Sequence, residues 1–323
     1  MRFIRIAMLC CLLLFFVTPA SAKPTWPQWV ATLKVEAVEQ GIDPELFDRI
    51  FSTIPEPDHK VMHFDKSQPE HRITFLEYRN SRADKLKLMI GRKEYKNQEE
   101  LLENIGTTYG VDPCIIVGLW GMESDYGHYM GNFPVIKSLA TLAYDDRRGS
   151  RFRKELLLAL QIVNDGQITF EKYKGEWAGA SGQPQFLPSS WFKYAVDYDH
   201  DGRKDIWTSK ADVFASIANY LAKNGWQTGE PVAIEVQLPE NFSKNLLGKK
   251  IQKSVTDWNE LGVRSLAGAA LPGGDIQASI VELEGGTDFI IYPNFRVIMT
   301  YNYSSYYAAT IVYMANKICE RPV

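Results

Sequence analysis

Hydrophobic positions recur at helical spacing over most of the chain and at strand spacing over one short region near its end. Residues 26–51 follow the helical pattern, and Asp43-Pro44 reads as an N-cap followed by proline at the first helical position. Residues 55–69 are polar and punctuated by proline, which predicts a connector. A basic helical stretch with Arg79, Arg82, Lys85, Lys87, Arg92 and Lys93 follows and reads as a solvated helix face. Residues 97–226 read as mainly helical, broken by two loops rich in glycine and aspartate. Val232, Ile234, Val236 and Leu238 then alternate with Ala233, Glu235 and Gln237, which is the period of a strand. Residues 276–283 and 289–292 also read as strands, with Gly285-Gly286 as the turn between them. A final helix over residues 304–318 gathers Ala308, Ile311, Val312, Ala315 and Ile318 on one side. The expected class is α+β, mainly α: a helical body holding a small β insert.

The first residues point to export. Arg2 and Arg5 precede an apolar run over residues 6–17, and Ala20-Ser21-Ala22 has the small-x-small form of a signal-peptide cleavage site. The run is shorter than the ~20 residues of a spanning helix. Leu9 and Cys10 stand before Cys10 and Cys11, where a lipid-attachment signal needs a small residue. Cleavage after Ala22 then gives a soluble periplasmic chain beginning Lys23-Pro24. The formal charge of −3 becomes −5 once Arg2 and Arg5 leave with the signal. Such a chain lacks the concentrated positive field that nucleic acid or an anionic membrane surface requires. A monomer of about two domains is expected. Export permits a bond between the mature Cys114 and Cys319, but two cysteines in so long a chain favour buried thiols.

Chemistry concentrates in three segments. Asp112-Pro113 opens a helix that Gly127 is placed to stop. At about 100° per residue, Ile115, Ile116, Leu119 and Trp120 form an apolar stripe with Glu123 in its middle, while Asp125 points the opposite way. Desolvation and the negative end of the helix dipole both disfavour a charged carboxylate there, as a general acid working near neutral pH requires. A glutamate paired with a buried Arg or Lys is the alternative, and position alone favours it. The second segment, residues 175–186, alternates tiny residues, amides and aromatics from Gly175 to Phe186. Such a mixture admits a bulky ligand, hydrogen-bonds hydroxyl and acetamido groups, and stacks on sugar faces. A tight turn packed by aromatics has the same composition. Third, Asp197, Asp199 and Asp201 with Gly202 match the start of an EF-hand loop, where Arg203 offers its carbonyl and Asp205 a water-mediated contact. Position twelve is Thr208 rather than the bidentate Glu, and Asp212 is the nearest carboxylate able to replace it. One structural calcium ion is expected.

Together these residues resemble the membrane-bound lytic transglycosylase B family. The likeness begins at Gln68-Pro69-Glu70 and runs to Ile318. Its most specific pieces are Leu119-Trp120-Gly121-Met122-Glu123-Ser124, Trp177-Ala178-Gly179-Ala180, and Gln185-Phe186-Leu187-Pro188-Ser189-Ser190. The aspartate loop ending at Ile206-Trp207, then Ala218-Asn219-Tyr220, and Tyr301 through Tyr307 complete the series. The resemblance implies a lysozyme-like helical core after a helical N-terminal domain, with a small β domain inserted before the final core helix. It implies domains at residues 23–96, 97–228, 229–293 and 294–323, behind a signal at 1–22. It places Glu123 as the only catalytic carboxylate, with Gln185, Tyr220, Tyr301, Asn302, Ser304 and Tyr307 lining a glycan cleft, and matches the aspartate loop to a calcium site.

The implied activity is cleavage of peptidoglycan between N-acetylmuramic acid and N-acetylglucosamine, with closure of a 1,6-anhydro ring. A lysozyme-type muramidase and a catalytically silent peptidoglycan-binding protein of the envelope are the alternatives. Three residues depart from the family pattern: Glu176 replaces Ser, Ser181 replaces Met, and Trp191 replaces Tyr or Phe. Ser181 is expected to loosen a sugar subsite. Glu176 is expected to bring a second carboxylate to the cleft and, if close enough, to share a proton with Glu123 or hold a hydrolytic water.

Overall fold

The computed structural model describes residues 23–66, 73–145, 148–285 and 287–320. The expected signal peptide, the Gln68-Pro69-Glu70 motif and Gly286 lie outside the described residues. Residues 26–52 form two helices, α1 (Trp26–Glu39) and α2 (Pro44–Ser52). Gly41 breaks them apart at φ +90°, and the Asp43 carboxylate caps α2 by accepting from the Glu45 N–H at 3.0 Å. The expected connector holds a short helix, α3 (His59–Lys66), anchored by the wholly buried Val61. A single buried residue leaves no periodicity to read, so composition gave the wrong element.

The basic stretch forms α4 (Phe75–Arg82) and α5 (Lys85–Asn97). Part of its charge is not simply solvated. Lys87 Nζ donates to the Gly121 carbonyl at 3.3 Å and Arg92 Nε to the Lys317 carbonyl at 2.9 Å. These cations meet the negative ends of two later helices.

The body continues with α6 (Glu99–Tyr109), α7 (Pro113–Ser124), α8 (Val135–Tyr144), α9 (Gly149–Asn164), α10 (Pro188–Tyr194) and α11 (Lys210–Lys223). A two-residue ribbon, β1 (Phe133–Pro134) with β2 (Lys174–Gly175), crosses between them. Every residue of α7 from Cys114 to Gly121 is buried, so the apolar stripe is one side of a helix that runs through the core.

A five-stranded antiparallel sheet is built from β3 (Ala233–Gln237), β4 (Lys253–Ser254), β5 (Arg264–Ser265), β6 (Gln277–Leu283) and β7 (Thr287–Ile291), in the order β4-β6-β7-β3-β5. Strand alternation serves two cores. Val281, Leu283, Phe289 and Ile291 join the helical core, while Val236, Ala278, Ile280 and Ile290 pack with Trp258 of α12 (Val255–Glu260). The sheet therefore rests on the body before the chain returns as α13 (Pro293–Tyr301) and α14 (Ser305–Ile318).

The cysteines correct the expectation of free thiols: Cys114 and Cys319 form a disulfide across 205 residues. Cys114 sits in the first turn of α7 and Cys319 just after α14, while the opposite ends of the same helices meet at Glu123 and Tyr307. The two helices run antiparallel, which brings these distant residues to one end of the pair. Nothing in local sequence spacing encodes that approach.

Candidate active site

Glu123 lies in the last turn of α7, and the chain reverses directly after it. The stop comes earlier than Gly127, because Asp125, Tyr126 and Gly127 are all left-handed, at φ 52°, 60° and 84°. A tyrosine in that region is strained, by about 1–2 kcal/mol, and its surroundings hold it. Tyr126 is buried, donates its hydroxyl to the Lys87 carbonyl at 3.0 Å, and packs edge-on against Trp120. A Cβ on Gly121 would come within 2.6 Å of that ring, so the glycine two residues before Glu123 is demanded by packing. Asp125 faces outward to Lys87, with 3.5 Å between the charged atoms.

The Tyr307 hydroxyl donates to Glu123 Oε1. Tyr307, only 3% exposed, is placed by the start of α14, where Ser304 Oγ accepts its N–H at 3.3 Å. Burial pushes the Glu123 carboxyl up to about 7, and the Tyr307 hydrogen bond restrains that rise. Tyr307 and Tyr301 are pushed far above the ordinary phenol range, first by burial and then by the charge of Glu123. Both therefore remain donors. Tyr301 donates to the Pro184 carbonyl at 2.5 Å and Tyr220 to the Thr300 carbonyl at 2.7 Å. The Tyr220 and Tyr301 rings lie 4.5 Å apart, with Phe186 5.9 Å from each. Gln185, at φ 52°, turns its amide to the Gly182 and Met130 carbonyls at 2.9 and 3.1 Å.

Behind this wall a buried amide joins two segments. Gln183 Oε1 accepts from Trp120 Nε1 at 2.7 Å, and its Nε2 donates to the Trp207 carbonyl at 2.9 Å. The catalytic-helix candidate is thereby tied to the end of the aspartate loop. Asp197 and Asp199 of that loop and the wholly buried Asp212 in the first turn of α11 bring carboxylate oxygens within 4.8 Å of one another. Asp212 also accepts from the Tyr198 and Asp205 N–H groups, both at 2.7 Å. Burial, with Asp199 adding to it, raises the Asp212 carboxyl above the ordinary range. Asp201 accepts from the Arg203 N–H at 2.8 Å, and Asp205 from those of Trp207 and Thr208 at 2.9 and 2.8 Å. Three clustered carboxylates, one of them buried, are a donor set that fits a hard divalent cation.

The family model for the transglycosylase SLT domain matches residues 25–316. The chain belongs to the transglycosylase SLT family. It is 31% identical over 290 residues to membrane-bound lytic murein transglycosylase B of Escherichia coli strain K12, covering 84% of this chain and 77% of that protein. SltB3 from Pseudomonas aeruginosa, solved in complex with NAG-anhNAM-pentapeptide, superposes with a TM-score of 0.87 at 39% identity. That match covers 91% of this chain and 79% of the other. Lytic transglycosylase Slt35 of Escherichia coli, solved in complex with calcium, gives a TM-score of 0.79 at 29% identity, over 90% and 92% of the two chains.

This lytic transglycosylase gathers Glu123 and Tyr307 directly, with Tyr220 and Tyr301 close enough to feel the carboxyl's charge. Asn302 is exposed at the corner between α13 and α14, next to the capping Ser304. Glu176 is half-buried and hydrogen-bonded by Tyr129. Burial raises its carboxyl as it raises that of Glu123, but neither shift includes repulsion from the other. Ser181 is buried and hydrogen-bonded to Tyr173, and Trp191 Nε1 donates to the Lys204 carbonyl at 3.1 Å, bracing the aspartate loop. Sequence reasoning missed Tyr78 of α4, whose phenol is raised by burial and by Glu123, and missed Gln183. Tyr78 sits in a stretch dominated by cations, and Gln183 is one amide among several, so neither carried a signal.

Proposed function

We propose that this lytic transglycosylase cleaves the β-1,4 bond between N-acetylmuramic acid and N-acetylglucosamine in peptidoglycan, with Glu123 as its one acid/base. The observation that carries the reading is a carboxyl raised to about 7 by burial and held by a neutral tyrosine. Near neutral pH such a group is poised between its two forms. Protonated Glu123 gives its proton to the glycosidic oxygen as the bond to C1 breaks. The acetamido group of the muramic acid stabilises the positive centre, as in substrate-assisted glycosidases. The carboxylate left behind, steadied by the Tyr307 O–H, takes the proton of the C6 hydroxyl as its oxygen bonds to C1. The product is a 1,6-anhydro ring, and Glu123 is again protonated. The P. aeruginosa relative solved with an anhydro-muramyl ligand supports this outcome. Gln185, Tyr220, Tyr301, Asn302 and Ser304 are assigned to the walls of the glycan cleft.

The reading extends to calcium, held by Asp197, Asp199, Asp201 and Asp212 together with the Arg203 carbonyl and, through water, Asp205. When bound, the ion supplies neutralising charge that braces the loop behind Gln183. The E. coli relative solved with calcium supports this choice of cation. We also assign the chain to the periplasm after loss of residues 1–22. A disulfide suits an oxidising compartment, and among the described residues no helix is long and apolar enough to cross a membrane. The chain divides into a helical N-terminal domain (23–96), a catalytic core (97–228), a β insert (229–293) and a C-terminal segment (294–323). Glu123→Gln tests the mechanism. The variant should melt as the wild type does yet release no soluble fragments from purified peptidoglycan, because an amide neither gives nor takes the proton. Release at a comparable rate removes Glu123 from the reaction.

A further inference from the structure

Where α13 turns into α14, one side chain stands clear of the body. Asn302 and Ser304 are extended, at φ −143° and −136°, and the Ser304 N–H bonds back to the Asn302 carbonyl at 2.7 Å. That three-residue turn puts Tyr303 at its tip. At 83% exposed, Tyr303 is the most open large apolar side chain among the described residues, where the next stand at 60%. The other tyrosines of the segment are used inside the fold, Tyr301 and Tyr307 through their hydrogen bonds and Tyr306 through its edge contact with Phe75.

The Tyr303 ring is nonetheless held. Lys249 of the β insert sets its Nζ 4.9 Å from the ring centroid, close enough for the attraction of a cation to an aromatic face. Arg296 of α13 fixes the backbone of that lysine, donating from Nη2 to the Lys249 carbonyl at 2.7 Å and to Ser279 Oγ at 2.8 Å. One residue earlier, the Gly248 N–H bonds to the Ile280 carbonyl at 2.7 Å, which ties the segment to β6. The insert thus steadies Tyr303 from one face and leaves the other open to solvent. A ring with a fixed position and a free face is a surface on which the flat, C–H-lined side of a sugar stacks.

The position of Tyr303 supplies the occupant. It lies between Asn302 and Ser304, both assigned above to the glycan cleft, and four residues before Tyr307, which bonds Glu123. Four residues span at most about 14 Å of chain, so the ring stands within reach of a strand whose scissile bond lies at Glu123. We propose that Tyr303, steadied by Lys249, is an outlying sugar subsite, stacking on a ring of the same glycan strand beyond those around Glu123, so that the enzyme prefers long strands to short ones. The proposal rests on reading the cleft as a glycan cleft.

Calorimetry with peptide-free strands of alternating N-acetylglucosamine and N-acetylmuramic acid tests it, in a Glu123→Gln parent so that nothing is cleaved. The parent should bind an octasaccharide about three to ten times more tightly than a tetrasaccharide, the scale of one stacked ring. Adding Tyr303→Ala should abolish that preference and leave tetrasaccharide affinity unchanged, whereas Tyr303→Phe, which keeps the ring, should retain it. The side chain is exposed, so Tyr303→Ala should melt with the parent. An equal preference in parent and Tyr303→Ala, no preference in the parent, or equal losses at both lengths overturns the subsite while the glycan cleft stands. A parent that binds neither length removes the cleft and the subsite together. Sedimentation of the same samples covers the other occupant: a dimer that Tyr303→Ala dissolves makes the ring an interface between copies and overturns the subsite.

Discussion

In the proposed mechanism Glu123 holds a proton to break the glycosidic bond and then acts as a base within the same turnover, so its ionisation is the quantity most exposed to test. Donation requires the protonated form, and activity should therefore fall as pH rises through about 7. Tyr307 donates to the carboxylate and restrains the rise that burial causes. In Tyr307→Phe that restraint is gone, so the alkaline limb should move upward while kcat drops tenfold or more, roughly the cost of a charge-assisted hydrogen bond. A pH–rate profile that keeps its alkaline limb and its height in the variant contradicts the assignment. At this scale the sequence was readable where a polar residue broke an apolar pattern: Glu123 among Ile116, Leu119 and Trp120 stood out for that reason. Gln183 did not, because its two partners lie 63 and 24 residues away and only folding joins them.

The elements that place these residues are the antiparallel pair α7 and α14, fastened at one end by Cys114–Cys319 and meeting at the other through Glu123 and Tyr307. Removing the bond in a Cys114→Ser/Cys319→Ser variant releases a loop spanning a separation of 205 residues, and chain-entropy arguments give a loss of about 5 kcal/mol. Denaturant unfolding should show a lower midpoint whose shift, multiplied by the m-value, equals that loss; an unchanged midpoint means that helix packing alone aligns the pair. The aspartate loop makes a second prediction. Calcium at about a hundred times its dissociation constant should stabilise chelator-treated protein by about 2.7 kcal/mol, read as a higher melting temperature. Asp199→Asn should remove most of that rise, and no calcium-dependent shift in the wild type reduces the loop to a turn. Helix starts were legible here, since Asp43-Pro44 and Asp112-Pro113 each open a helix as read. The end of α7 was not, because Asp125 and Tyr126 take left-handed backbone that packing at Gly91 and Gly121 stabilises and local composition does not announce.

For the whole molecule, strand alternation near the end and helical spacing elsewhere were enough to expect a helical body with a small sheet. They did not show that both faces of β6 and β7 are buried, against the body on one side and Trp258 on the other. Alternating apolar and polar positions suggest one wet face, whereas Val281 and Ile280 in succession serve two cores. The disulfide was invisible for a related reason, since the approach of chain positions 114 and 319 is a property of the assembled bundle. In the proposed mechanism this architecture holds a single carboxyl in a place where water need not take part. Mass spectrometry of fragments released from purified peptidoglycan tests that claim most directly. The account predicts muramic acid ends in the 1,6-anhydro form, lighter by one water than hydrolysed ends; reducing muramic acid ends as the main product contradict it.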